Sequence, residues 1–268
     1  MTGKYSKVGQ KFINHNKVIA VIPTRLKSER LSGKVLMPLN GKPCLQRIVE
    51  RLRKCEQIDD IIIAVAGHKQ NKPILDFCYE KLKVTSMRGS ADDVYGRVLK
   101  AGQLMYAKYI IDITADCPLV DPTHIDHMIK NIKKKNLDFV CNTVPRSWPD
   151  GFDVQIFKTS IMEQLDPLIT DPVHRLHVGW NILNYKHLLE KGRLKVGSFK
   201  APPDYNFPHW GLTLDEEQDR ILLDKIFCYF DKQKKLKFSA ENIIDYLKLN
   251  PELLEINLSV VRNIPGQG

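Results

Sequence analysis

The chain has 268 residues, 43% of them apolar, enough to build one large α/β domain or two small ones. Its 41 Lys and Arg against 31 Asp and Glu give a formal charge of +10, which admits a nucleic acid, an acidic membrane surface or a polyanionic small molecule as partner. No run reaches the roughly 18 apolar residues of a membrane span, the N-terminal stretch lacks the apolar centre of a signal peptide, and the six cysteines show no CxxC spacing. A cytoplasmic protein with reduced, mostly buried thiols is expected, and a disulfide scaffold is excluded.

Residues 1–16 read as a polar extension and residues 17–268 as one domain. Residues 18–23 (VIAVIP) are a continuous apolar run of strand length, and 61–66 (IIIAVA) and 109–114 (YIIDIT) are similar. Runs of this kind predict strands covered on both faces, hence a parallel sheet. Between them, residues 43–54 place Leu45, Ile48, Val49 and Leu52 at i, i+3, i+4 and i+7, the stripe of an amphipathic helix. Residues 72–82 and 93–107 read as helices too, so the order predicts a doubly wound, mostly parallel α/β sheet with right-handed crossovers. In the second half, residues 138–143, 151–157 and 210–214 are predicted strands added to the same sheet. Residues 239–247 are predicted helical with Ser239 as N-cap; Asn242 stands where a capping box has Glu or Gln, so only half of that motif is expected. The basic runs at 130–136 and 231–237 lack interleaved aromatics and read as solvated surface. His124 and His127 are expected to face solvent, and Trp148, Trp180 and Trp210 to lie in the core or an interface.

The first strand runs directly into residues 24–34 (TRLKSERLSGK), where Arg25, Lys27, Arg30 and Lys34 surround Ser28, Ser32 and Gly33. Ligands of open α/β sheets sit beyond the carboxyl ends of strands. Backbone N–H groups with converging cations there suit a triphosphate; the bland alternative is a basic solvated loop, since the stretch is neither GxxxxGK[ST] nor GxGxxG. The third strand leads into Thr114-Ala115-Asp116-Cys117-Pro118, and residues 212–215 (LTLD) put Asp215 at another strand end. Two acids converging on one crevice would give Mg²⁺ two protein ligands, while the alternative for Asp116 is a turn cap. Arg97 stands between a helix-surface or acid-pairing role and a ligand contact.

Residues 25–34, followed by 39–43 (LNGKP), resemble the signature of the sugar cytidylyltransferases that make CMP-activated 3-deoxy-2-keto acids such as Kdo and sialic acid. The likeness is closest to their SpsF branch, whose pattern continues in order with residues 89–94 (GSADDV), 114–119 (TADCPL), 150–154 (DGFDV), 175–178 (RLHV) and 212–215. Residues 250–257 (NPELLEIN) look like the ending of that branch. The resemblance implies a single Rossmann-like nucleotidyltransferase domain, homodimeric and Mg²⁺-dependent. Its implied reaction moves CMP from CTP to a 2-keto sugar acid and releases pyrophosphate, for surface polysaccharide or glycan synthesis. It implies catalytic roles for Arg25, Lys34 and Asp116, and nucleotide contacts from Pro23, Arg25, Ser28, Arg30, Gly33, Lys34, Gly89, Ser90, Asp92, Thr114 and Asp116. Asp150, Asp153, Arg175 and His177 would bind the sugar, with Arg175 facing its carboxylate, and Asp116 and Asp215 would hold the metal.

Ser32 stands where the branch has proline, Leu176 where it has glutamate and Gly179 where it has threonine; residues 177–179 (HVG) approach the HIG of Kdo cytidylyltransferases. Two other readings compete: a nucleotidyltransferase of another NTP or a non-ulosonate acceptor, and a non-catalytic anion- or RNA-binding protein. Asp116 and Asp215 argue against the last, because carboxylates at a crevice repel a polyanion unless a metal intervenes. No nucleic acid or membrane partner is expected.

Overall fold

The computed structural model describes residues 16–179, 194–233 and 238–262. In chain order the first half gives β1 (Lys17–Thr24), a two-residue hairpin of β2 (Pro38–Leu39) and β3 (Lys42–Pro43), α1 (Cys44–Leu52), β4 (Asp60–Ala66), α2 (Lys72–Phe77), β5 (Thr85–Gly89), α3 (Val94–Leu104) and β6 (Ala107–Asp112). The second half gives α4 (Pro122–Lys134), β7 (Phe139–Cys141), β8 (Gln155–Lys158), α5 (Thr159–Leu165), α6 (Pro172–Leu176) and β9 (Val196–Ser198). Two longer helices follow, here α7 (Glu217–Lys232) and α8 (Ala240–Leu249), and then a four-residue helix, α9 (Glu252–Glu255).

The seven-stranded sheet has the order β5-β4-β1-β6-β8-β7-β9. β1 pairs in parallel with β4 and β6, and β4 with β5, while β8 runs antiparallel to both β6 and β7. The chain winds outward from β1 in one direction through β4 and β5 and then returns to lay β6 on the other side. The switch point thus lies between β1 and β6, where the carboxyl ends of neighbouring strands leave a crevice.

The unbroken apolar runs are explained by covering on both faces. Ala20, Ile22, Ile63 and Ile111 pack with residues of α1, α4, α7 and α8, whereas Ile19, Val21, Ile62 and Ile110 pack with residues of α3 and α5. Leu45, Ile48, Val49 and Leu52 of α1 are all buried. At about 1.5–3 kcal/mol for each such side chain, this stripe rather than intrinsic propensity holds so short a helix in place.

Several element boundaries differ from those read in the sequence. β6 ends at Asp112 rather than Thr114; Ile113 still donates to the Val21 carbonyl, and a turn closed by Cys117 N–H to the Thr114 carbonyl follows. β8 begins only at Gln155, because Gly151 sits at φ +114, a conformation an L side chain resists, with the Leu212 carbonyl where a Cβ would lie. Residues 210–214 form no regular strand. Gly211 makes one parallel bridge to Asp150, and Leu214 donates to the Asp116 carbonyl at 2.8 Å. The helix predicted over 72–82 is α2 followed by a π turn over Cys78–Leu82.

At α8 the capping box is complete, contrary to the expectation of half a motif: Ser239 Oγ accepts from Asn242 N–H and the Asn242 amide oxygen accepts from Ser239 N–H, both at 3.3 Å. Asparagine is long enough to close the reciprocal pair here. His127 is exposed, but His124 is buried. Its Nε2 lies 3.2 Å from a Glu241 carboxylate oxygen, and its ring centroid lies 4.1 Å from that of the buried Trp148. Asp121 caps α4 through Thr123 N–H and also accepts from Ala240 N–H, so this cluster locks α4 to α8. All six cysteines are free thiols, four of them buried. Among the described residues no helix is long and apolar enough to cross a membrane.

Candidate active site

The basic segment after β1 is held by a residue the sequence did not advertise. Asn71, fully buried, accepts from Leu26 N–H at 2.8 Å and donates to the Ala66 carbonyl at 2.8 Å, tying the segment to the end of β4. Gly33 at φ +74 turns the chain back so that its N–H reaches the Leu26 carbonyl, and the short helical turn of Lys34–Leu36 begins. Asn71→Ala strands a buried donor and a buried acceptor, and should cost about 2 kcal/mol or more. A fall in Tm of about 4–8 °C is expected for a chain of this size; a change under about 1 °C would show that the loop is held otherwise.

Lys34 is the centre of the crevice. Its Nζ donates to Asp116 Oδ2 at 2.8 Å and to Asp215 Oδ1 at 3.0 Å, joining residues brought from two distant segments. Arg30 reaches Asp215 at 3.1 Å and Glu216 at 3.6 Å, and Thr213 Oγ1 donates to Asp215 Oδ2 at 2.9 Å. Burial acts most strongly on the Lys34 ammonium and lowers its pKa, but Asp116 and Asp215 together outweigh it and leave it raised. Burial likewise raises the Asp215 carboxyl, and Lys34 with Arg30 outweighs that and holds it below its usual range. Two carboxylates that meet at one ammonium define a pocket for a single cation, and hard oxygen donors of this kind fit Mg²⁺.

The shell behind these acids comes from the tail of the chain. Asp219, fully buried, accepts from the N–H groups of Asp215 and Glu216 and fixes the turn that presents Asp215. Arg262 pairs with Asp219 at 2.6 Å, and Asn257 bridges the Gly211 carbonyl and Asp219, both at 2.8 Å.

Beside this cluster opens a cavity of about 720 Å³, lined in part by Pro23, Asp112, Thr114, Arg146, Asp150, Asp153, Gln155, His177, Trp210 and Arg262. Arg146 grips Asp153 with two bonds of 2.7 Å and lies 3.4 Å from Asp150. Burial, and then the charge of Asp153, raises the Asp150 carboxyl above its usual range despite Arg146. Burial pushes Asp112 up to about 7 against the pull of Arg97. His177 is lowered by burial and by His174.

Five residues expected at the site therefore line the cavity (Pro23, Thr114, Asp150, Asp153 and His177), and four more (Arg30, Lys34, Asp116 and Asp215) form the ionic cluster. Arg25 and Ser28 lie on the loop between, Arg25 exposed and Ser28 half-buried. Gly89, Ser90 and Asp92 lie at the carboxyl end of β5, with Ser90 and Asp92 exposed and none of the three lining the cavity. Arg97 is buried and donates to the Ser90 carbonyl, so it supports that loop from behind.

Arg175, expected to bind the sugar, is placed apart from the cavity. Its guanidinium is spent on Asp93, at 2.8 and 2.6 Å, and on Asp166 at 2.7 Å, and it is absent from the cavity lining. Asp93, the N-cap of α3, competes for the same planar fork that was assigned to a substrate carboxylate. Trp148 lies in the core as expected, Trp210 instead lines the cavity, and Trp180 lies outside the described residues. Sequence reasoning passed over Arg146, Arg262, Asp112, Gln155 and Asn71. Only Arg146 left a trace, as an arginine four residues before Asp150 in an acidic stretch.

A seven-stranded, mostly parallel sheet whose switch-point crevice gathers cations and convergent acids is a Rossmann-like nucleotidyltransferase fold. The chain belongs to the cytidylyltransferase family, whose model matches residues 19–161. It is 30% identical to the uncharacterized protein MJ1063 of Methanocaldococcus jannaschii, over 91% of this chain and 96% of that one. Similarity to the spore coat polysaccharide biosynthesis protein SpsF of Bacillus subtilis is 27% identity over 88% of this chain and 96% of the relative. Among solved structures, a cytidylyltransferase from Leptospira borgpetersenii superposes with a TM-score of 0.81 at 25% identity, covering 93% of this chain and all of that one.

Proposed function

We propose that this cytidylyltransferase transfers CMP from CTP to a 2-keto sugar acid in a Mg²⁺-dependent reaction that serves glycan or surface polysaccharide synthesis. The observation that carries the reading is the meeting of Lys34, Asp116 and Asp215 beside a cavity large enough for a sugar, with Arg262 of its lining 3.6 Å from Asp215. In the transfer, the acceptor hydroxyl oxygen bonds to the α-phosphorus while the bond from that phosphorus to the β-phosphate bridging oxygen breaks, and pyrophosphate leaves with the electron pair. Arg25, Arg30 and Lys34 exchange their carboxylate or solvent partners for triphosphate oxygens and stabilise the leaving group. Asp116 and Asp215 would hold Mg²⁺, which would offset charge on the phosphates. Asp150, with its raised pKa and its place in the cavity, takes the hydroxyl proton. Arg146 and Arg262, rather than Arg175, are the cations within reach of an acceptor carboxylate.

Purified protein, CTP, Mg²⁺ and a panel of 2-keto sugar acids should release pyrophosphate, with ATP, GTP and UTP as comparisons. The proposal is lost if no acceptor supports release and calorimetry detects no CTP binding.

A further inference from the structure

The cavity contains two buried oxygen atoms that nothing among the described residues satisfies. β6 and β8 are antiparallel neighbours, and their register sets Asp112 directly opposite Gln155. Cross-strand partners share a face of the sheet with Cβ atoms about 5 Å apart, so the two side chains stand next to each other, and both line the cavity. Asp112 Oδ1 and Gln155 Oε1 are each buried without a hydrogen-bond partner. Buried polar groups are nearly always satisfied, and a pair left open at a cavity wall marks a place where a ligand completes them.

The chemistry of the missing group follows from the two oxygens. A carboxylate and an amide oxygen side by side call for several donors and no acceptor. An ammonium supplies three donors and a positive charge, whereas a hydroxyl supplies one donor and turns lone pairs towards its hosts. Among the described residues no cation donates to either oxygen: Arg97 acts on Asp112 electrostatically but gives its hydrogen bond to the Ser90 carbonyl, and the two arginines that line the cavity are bonded to Asp153 and to Asp219. Gly179 adds an independent sign of construction. A Cβ there would lie 1.5 Å from Gln155 Oε1, so only glycine leaves the amide oxygen where it is.

We propose that Asp112 and Gln155 form a subsite for an amino group of the acceptor, so that the preferred substrate is an aminated sugar acid. This rests on reading the cavity as the acceptor site. An ammonium seated there would also return Asp112 to its ionised form, against the burial that now favours its proton.

The probes are Kdo and analogues in which its 4-, 5-, 7- or 8-hydroxyl is replaced by an amine, titrated into the protein saturated with CTP and Mg²⁺ and followed by calorimetry. One amino analogue should bind at least tenfold more tightly than Kdo. Asp112→Asn should reduce that preference below about threefold, with CTP affinity changed less than threefold. Gly179→Ala, which displaces the Gln155 oxygen without touching Asp112, should erode the preference in the same way, and circular dichroism verifies that both variants are folded. Equal binding of Kdo and every analogue, or a preference that survives both substitutions, overturns the subsite. Normal CTP binding with no acceptor bound at all overturns it too while leaving the nucleotide site standing, and loss of CTP binding in the wild type brings down the reading beneath it.

Discussion

Asp215→Asn is expected to abolish turnover, with a loss of at least about a hundredfold, because it removes charge from the point where Lys34 and Arg30 converge and where the proposed divalent cation would be held. Asp116→Asn should lose as much activity. The two variants separate in stability. Asp215 is largely buried and serves Lys34, Arg30 and Thr213, so its replacement should cost about 1–3 kcal/mol. Asp116 is more exposed and leaves Lys34 still paired with Asp215, so its replacement should cost less. The pH dependence follows from sign. The folded Asp215 carboxyl lies below its usual value, so its stabilisation is complete above the ordinary carboxylate pKa and disappears as pH falls through the folded one. The gap in denaturant stability between wild type and Asp215→Asn should therefore close in acid. A gap that does not narrow as pH falls below the ordinary carboxylate range, or wild-type activity in either variant, would remove the residue from the site.

Asp112→Asn should make the ligand-free protein more stable at pH 8. The wild-type carboxyl is raised from 3.8 to about 7 by burial, so the unfolded chain gives up its proton before the folded one does. Stability then falls as pH rises from about 4 to about 7 and levels off above that. A shift of this size corresponds to about 4 kcal/mol. The asparagine carries no charge to bury and should show a flatter profile across that range, gaining most at high pH. Urea denaturation at pH 5, 6, 7 and 8 tests this directly: parallel curves for the two proteins would mean that Asp112 titrates alike in both states. Such a cost, retained in a cavity wall, fits a group kept for binding rather than for folding.

Apolar runs at residues 18–23 and 61–66, which alternate with no polar residue, by themselves specify buried parallel strands, because only a sheet covered on both faces can accept them. The basic segment after the first run and the acids at 116 and 215 were legible for the same reason: the carboxyl ends of such strands face a crevice, and charge placed there has a use. Family likeness was legible too, since ordered motifs preserve chain order even when the spacing between them is arbitrary. Pairings of charge were not. Arg175 could be known for a guanidinium with a carboxylate to satisfy, but only the packing of α6 near the start of α3 gave it Asp93 in place of a substrate. Asn71 is an unremarked asparagine in a helix approach until the loop of residue 26 folds over it. Asp112 and Gln155 lie far apart in the chain, in different strands, and become a pair only through the antiparallel register of β6 and β8. Hydrophobic periodicity is a local property written residue by residue. The partner of a polar atom is set by which segments meet, and that is decided only when the sheet closes and the tail of the chain, through Asn257 and Arg262, is drawn back across the crevice.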